Sequence, residues 1–210
     1  MVVNKVRPSV VEITTSTGLG SGVVYDDNGD IATNDHVVRT ARNFQVSVFD
    51  GRVAVASLVG LFPPYDLAVI RVHAVTRLHP AVFANSSQLQ VGHIDLAIGN
   101  PLGLASSVTE GIVSFTRRTV GEGNGVVLPG TIQTSGAINP GNSGGALVDT
   151  QGRVIGIPTF PPPNANSAAQ PPTASALPFR RTLSSWCPAA DHGRTSSPER
   201  PGRSSAAPPP

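Results

Sequence analysis

The sequence predicts an all-β chain of short strands arranged as a barrel or sandwich, and three observations carry that prediction. Glycine and proline are both frequent, at 22 and 20 of 210 residues, a composition that favours turns over long helices. Strand-like segments follow one another almost without interruption over the first 160 residues. No segment of useful length shows the 3.6-residue period of an amphipathic helix.

Taken in order, SVVEITT opens the series and is β-branched. SGVVYDD and DIAT flank Asn28-Gly29, and VSVF and RVAVASLVG flank Asp50-Gly51, two pairs that favour tight hairpin turns. DLAVIRV, IDLAIG, SVTEGIVSFT and GTIQT follow. GALVD and RVIGIP are joined by DTQG, a third hairpin loop. No internal sequence repeat is evident. Turn-bounded strands at this spacing are the pattern of an all-β sandwich or barrel.

The folded region is expected over residues 1–160. From Pro161 the composition changes: twelve of the twenty prolines lie in the last fifty residues, among Ser, Ala and Arg. Such a stretch buries too little apolar surface to offset its ordering entropy. Residues 187–210 are read as a disordered tail, and 161–186 as a segment that could supply one closing strand. The tail also holds the positive charge. From Pro161 onward five arginines face only Asp191 and Glu199, while the remainder has 10 basic and 11 acidic residues. No basic stripe is interleaved with aromatics, so nucleic-acid binding is not expected. Cys187 is the single cysteine, which excludes an internal disulfide. No apolar run approaches the ~18 residues of a membrane helix, and the first residues lack the apolar core of a signal peptide.

Three segments carry chemistry. In GNSGG, residues 141–145, glycines let the chain turn so that the amides of Gly141 and Ser143 converge on one point, with Ser143 exposed to a substrate. The same residue types also make an ordinary turn. In ATNDHVV, His36 ends a strand-like run directly after a hairpin; His73, His79, His93 and His192 lack such a context. In YDLAVIRV, Asp66 stands at the mouth of a core strand, where a carboxylate is held rigidly against a histidine. Asp50 belongs to a turn. Asp35, adjacent to His36, would point away from it in an extended backbone.

The order decides between arrangements. His36, Asp66 and Ser143 run His…Asp…Ser, with spacings of 30 and 77. That is the order of chymotrypsin, and not that of subtilisin or the α/β-hydrolases. It points to a chymotrypsin-like double β-barrel, the first barrel supplying His and Asp and the second Ser.

The stretches GLGSGVVYDDNGDIATNDHVV, DLAVIRV, VGHIDLAIGNPLGLASSVTEGIVSFTRR and TIQTSGAINPGNSGGALVDTQGRVIGI together resemble the protease domain of the HtrA (Deg) family of trypsin-like serine proteases. The resemblance implies a triad of His36, Asp66 and Ser143 and an oxyanion hole in the backbone of Gly141, Asn142 and Ser143. It implies substrate contacts at Ile138, Asn139, Ile157 and Thr159, around a pocket for small aliphatic side chains. It further implies cleavage of unfolded or misfolded polypeptides without ATP, cofactor or metal, a homotrimer, and an extracytoplasmic setting.

Three departures from the family pattern stand out. The residues after 160 are too few and too Pro-rich for a PDZ domain. Pro158 follows Ile157 where the family has Asn, so an N–H is missing beside the site. The closing strand of the second barrel has only Ala174-Ser175-Ala176-Leu177-Pro178-Phe179 as a candidate. Two other readings stay open: a non-catalytic binder that holds unfolded chains in the cleft, and a truncated, inactive product.

Overall fold

A computed structural model describes residues 1–16, 18–41, 43–73, 77–100, 107–123, 126–139, 141–159 and 173–175. Its strands close into two barrels of the same topology. The first contains β1 (Val10–Thr14), β2 (Leu19–Val24), β3 (Asp30–Thr33), β4 (Phe44–Ser47), β5 (Val53–Phe62) and β6 (Leu67–Val72), in the order β1-β2-β3-β6-β5-β4. The second repeats that order with β7 (Ile94–Gly99), β8 (Ser107–Gly123), β9 (Val126–Thr134), β10 (Ala146–Asp149), β11 (Val154–Thr159) and β12 (Thr173–Ser175). The duplication is architectural; the two halves share no visible sequence repeat.

The hairpins fall where their turn residues predict. Gly29 has φ +91°, and the Asp26 carboxylate accepts the N–H groups of Asn28 and Asp30 across the turn. A Cβ at Gly29 would approach the Val72 carbonyl to 2.9 Å. Beside this turn, Arg71 makes a two-pronged ion pair with the buried Asp30 at 2.6 and 2.7 Å, tying β6 to β3.

The apolar runs are long because many strands are buried on both faces. In β6, Ala68, Ile70 and Val72 fill the first barrel, while Leu67 and Val69 face a third core between the barrels. Val10, Val23 and Ala32 join that seam from the first barrel, and Ile98, Ala146, Val148, Val154 and Ile157 meet them from the second. The second barrel is filled by Ala97, Val113, Ile132, Ile138, Leu147, Ile155 and Ala174.

The chain departs from the all-strand reading at its start. Residues Val2–Val6 form a short helix, α1. Val2 and Val6 are one turn apart, so they share a face and pack on the seam. Lys5 Nζ donates to the Gln151 carbonyl at 2.7 Å. A 3-10 turn over Arg7–Ser9 follows, with Pro8 inside it, and β1 begins at Val10.

The second barrel closes through Thr173–Ser175. This strand pairs with β11 through Ile157–Ser175, Pro158–Ala174 and Thr159–Thr173, and with β9 through Gln133 and Ile132. It coincides with only the first residues of the stretch 174–179; Ala176–Phe179 and the 187–210 tail lie outside the described residues.

Asp95 enters the second barrel beside Ala97. It is fully buried, and one carboxylate oxygen accepts the Thr134 hydroxyl at 2.7 Å. Burial raises its pKa above 3.8, and the Thr134 bond only partly opposes this. The folded chain therefore binds this proton more tightly than the unfolded chain, so the buried charge costs stability at neutral pH and the cost is relieved as pH falls. Asp95→Asn keeps an oxygen for Thr134 and is expected to melt higher than wild type at neutral pH. The difference should shrink as pH is lowered toward about 4. Thermal melts of both proteins across that range measure it; a gap that is the same at every pH would exclude the charge as its cause.

Candidate active site

His36 lies in a single helical turn, α2 (Asp35–Val38), which follows β3. Its local backbone is thus helical, where the sequence suggested the end of a strand. The turn sends Asp35 into the protein, 2% exposed, where burial raises its pKa despite Arg39 at 3.5 Å.

Asp66 sits between a one-turn 3-10 helix over Pro63–Tyr65 and β6, in the left-handed region at φ +49°. Few non-glycine residues adopt that conformation, and such residues concentrate at functional sites. Several contacts hold it. Asn34 Nδ2 donates to the Asp66 carbonyl at 2.8 Å. Oδ1 accepts the His36 backbone N–H at 3.0 Å. Oδ2 lies 2.8 Å from His36 Nδ1 and also accepts the Thr159 hydroxyl at 2.6 Å. The side chain of Asp66 is 5% exposed and that of His36 27%. A carboxylate against Nδ1 fixes the tautomer of a neutral imidazole: the proton sits on Nδ1 and the Nε2 lone pair faces outward.

Ser143 occupies the turn between Asn139 and β10. Gly141 at φ +101° and Gly144 at φ +81° give that turn its shape. Asn142 N–H donates to the Asn139 carbonyl at 3.0 Å, and Gly145 N–H to the Asn142 carbonyl at 2.9 Å. The turn presses on the first barrel: a Cβ at Gly144 would lie 2.1 Å from the Ser21 carbonyl oxygen and 2.4 Å from the Thr33 hydroxyl. Thr33 ends β3, three residues before His36, so the contact brings the serine turn to the histidine's side of the seam.

The supporting residues lie at different depths. Asn142 donates its amide to the Asn139 carbonyl inside the turn, and its side chain is fully buried. Ile157 is fully buried in the seam and Ile138 is 6% exposed in the second core, so neither presents a side chain to a substrate. Thr159 is 1% exposed and turns inward, where its hydroxyl holds Asp66. Asn139 alone of these four reaches the surface. Pro158 of β11 pairs with Ala174 of β12, and its carbonyl accepts the Gly144 N–H of the serine turn at 3.0 Å. Nothing in spacing or composition marks Thr159 as a partner of Asp66, since the two are 93 residues apart and the link exists only once the barrels dock.

The chain is similar to known proteases over most of its described length. It is 44% identical over 173 residues to the serine protease PepD of Mycobacterium tuberculosis, covering 74% of this chain and 37% of that protein. It is 46% identical over 142 residues to the periplasmic serine endoprotease DegP of Escherichia coli, covering 67% of this chain and 30% of that one. The chain thus spans well under half the length of these relatives. Among solved structures, the HtrA-type protease AlgW with a tripeptide superposes with a TM-score of 0.76 at 36% identity, over 87% of this chain and 62% of that one. Deg5 superposes with a TM-score of 0.69 at 37% identity, over 76% and 82%. The description "Trypsin-like peptidase domain" matches residues 20–157, and with two barrels that meet around His36, Asp66 and Ser143, this chain belongs to the trypsin-like peptidase family.

Proposed function

We propose that this chain is a serine endopeptidase whose nucleophile is Ser143, with His36 as general base and Asp66 as the group that orients it. The observation that carries the reading is the buried Asp66 carboxylate, which receives both His36 Nδ1 and the Thr159 hydroxyl. Such a carboxylate keeps the imidazole in the tautomer that accepts a proton at Nε2 and steadies the imidazolium that results.

The reaction is acyl transfer. The Ser143 oxygen attacks the scissile carbonyl while His36 Nε2 takes its proton. The Gly141 and Ser143 amides receive the oxyanion. The imidazolium then protonates the leaving amine, and water repeats the sequence to release the acyl group. The similarity to DegP and to the HtrA-type AlgW supports unfolded or misfolded polypeptides as substrates, an oligomer (a homotrimer in the finer reading) and an extracytoplasmic setting. Among the described residues no helix is long and apolar enough to cross a membrane.

A fluorophosphonate probe tests the assignment. Labelling is expected on Ser143 and is lost in His36→Ala. Because the base must be neutral, labelling and peptidase rates should both fall as pH drops through the imidazole range, near ~6.5. Absence of label on Ser143 in folded protein would favour the non-catalytic binder, and a rate flat across that range would remove His36 as base.

A further inference from the structure

We infer that Ser21, a first-barrel residue with no part in the mechanism above, is a positioning residue that sets the aim of the oxyanion donors. The inference rests on the proposed serine mechanism and deepens it.

Ser21 lies in the middle of β2 and is fully buried at the seam. Each of its polar groups is committed, and most of the bonds cross to the second barrel. Its N–H donates to the Ser143 carbonyl at 2.9 Å. Its hydroxyl donates to the Gly141 carbonyl at 2.6 Å and accepts the Asn100 N–H at 2.9 Å. Its own carbonyl accepts the Thr33 hydroxyl at 2.7 Å, which anchors it within the first barrel.

Two of these bonds grip the carbonyls on either side of the turn's reactive stretch. The Gly141–Asn142 peptide is held at both ends, its oxygen by Ser21 and its N–H by Asn139. The Ser143–Gly144 peptide is held likewise, its oxygen by Ser21 N–H and its N–H by the Pro158 carbonyl. The unit between them carries the Ser143 N–H, one of the two oxyanion donors. With both neighbouring planes fixed, its direction has little freedom. The other donor, the Gly141 N–H, is attached to the residue whose carbonyl Ser21 holds, a glycine at φ +101° that is free to take other conformations. Oxyanion donors act only within a narrow distance of the developing charge, so a small rotation of either peptide is felt in the rate.

The main-chain bond from Ser21 survives replacement by Ala or Cys, whereas the hydroxyl does not. Ser21→Ala is therefore expected to lower kcat on a peptide anilide by roughly 100-fold, the scale of a 1 Å misplacement at a reacting centre. KM should stay within about twofold, because the ground-state carbonyl makes little use of the hole. A peptide boronic acid, whose tetrahedral adduct places an oxygen in that hole, should lose affinity by the same factor as kcat/KM. Ser21→Cys keeps the shape with a weaker donor and should fall between wild type and alanine. It also serves where the alanine variant does not fold.

The experiment measures kcat, KM, boronate affinity and fluorophosphonate titre for the full chain and both variants. Wild-type protein that carries no label on Ser143 overturns the serine mechanism and this role with it. Wild type labelled at Ser143, with folded Ser21→Ala or Ser21→Cys turning over at the wild-type kcat per titrated site, overturns the role of Ser21 alone. So does a loss confined to KM, or a boronate affinity that does not follow kcat/KM.

Discussion

Ser143→Ala is expected to reduce peptidase turnover by on the order of 10⁵- to 10⁶-fold, the scale at which a triad nucleophile acts. The fold should be unaffected. The bonds that shape the turn come from main-chain groups at Asn142, Ser143, Gly144 and Gly145, and these remain in the alanine variant. His36→Ala should cost nearly as much. The double variant should be scarcely worse than either alone, because His36 has no proton to take once the hydroxyl is gone. Casein digestion with each purified variant, normalised to folded protein, reads the effect. A Ser143→Ala protein that digests at the wild-type rate would refute the assignment.

The second large effect concerns closure of the second barrel. Ending the chain at Pro161 removes β12, which leaves β9 and β11 unpaired along facing edges and uncovers Ile132 and Ile157. It also removes the Ser175 hydroxyl bond to the Tyr65 carbonyl, immediately before Asp66. With net hydrogen-bond values of ~1 kcal/mol each, the loss is on the order of 5 kcal/mol. For a domain of this size that lowers Tm by about 10–20 °C. Ending the chain at Trp186 keeps β12 and should leave Tm and activity close to full length. Melting curves of the two truncations decide the matter: equal stability of the shorter protein would mean that Thr173–Ser175 does not close the barrel.

The strands were legible because their apolar runs and Asn-Gly and Asp-Gly turns act locally. The seam was written in the same runs, as strands too apolar to have a wet face. Closure was harder to read. Thr173–Ser175 is three residues long between prolines and alanines, and it is a strand only because β9 and β11 offer edges on both sides, a tertiary effect that propensity does not contain. The helix α1 was missed because two valines four residues apart are too short a period to register. At the site, residue types and chain order pointed to His36, Asp66 and Ser143, which the fold brings to the seam. The direction of side chains around them was not legible. Ile157 and Thr159 flank a proline next to the second barrel's closing strand, and both turn inward. Ser21 opens the strand-like run SGVVYDD, and nothing local marks it as a partner of the serine turn. Its partners in the serine turn, Gly141 and Ser143, lie 120 and 122 positions away.

The seam also governs when the site comes into being. His36 and Asp66 belong to the half of the chain that leaves the ribosome first, whereas Thr159, the serine turn and β12 belong to the half that follows. Until the barrels dock, Asp66 lacks the Thr159 hydroxyl and the serine turn lacks its hold on Ser21. Docking of the two barrels is therefore the step that completes the site: a chain with only its first barrel folded holds His36 and Asp66 without the Thr159 hydroxyl and without the serine turn that Ser21 grips.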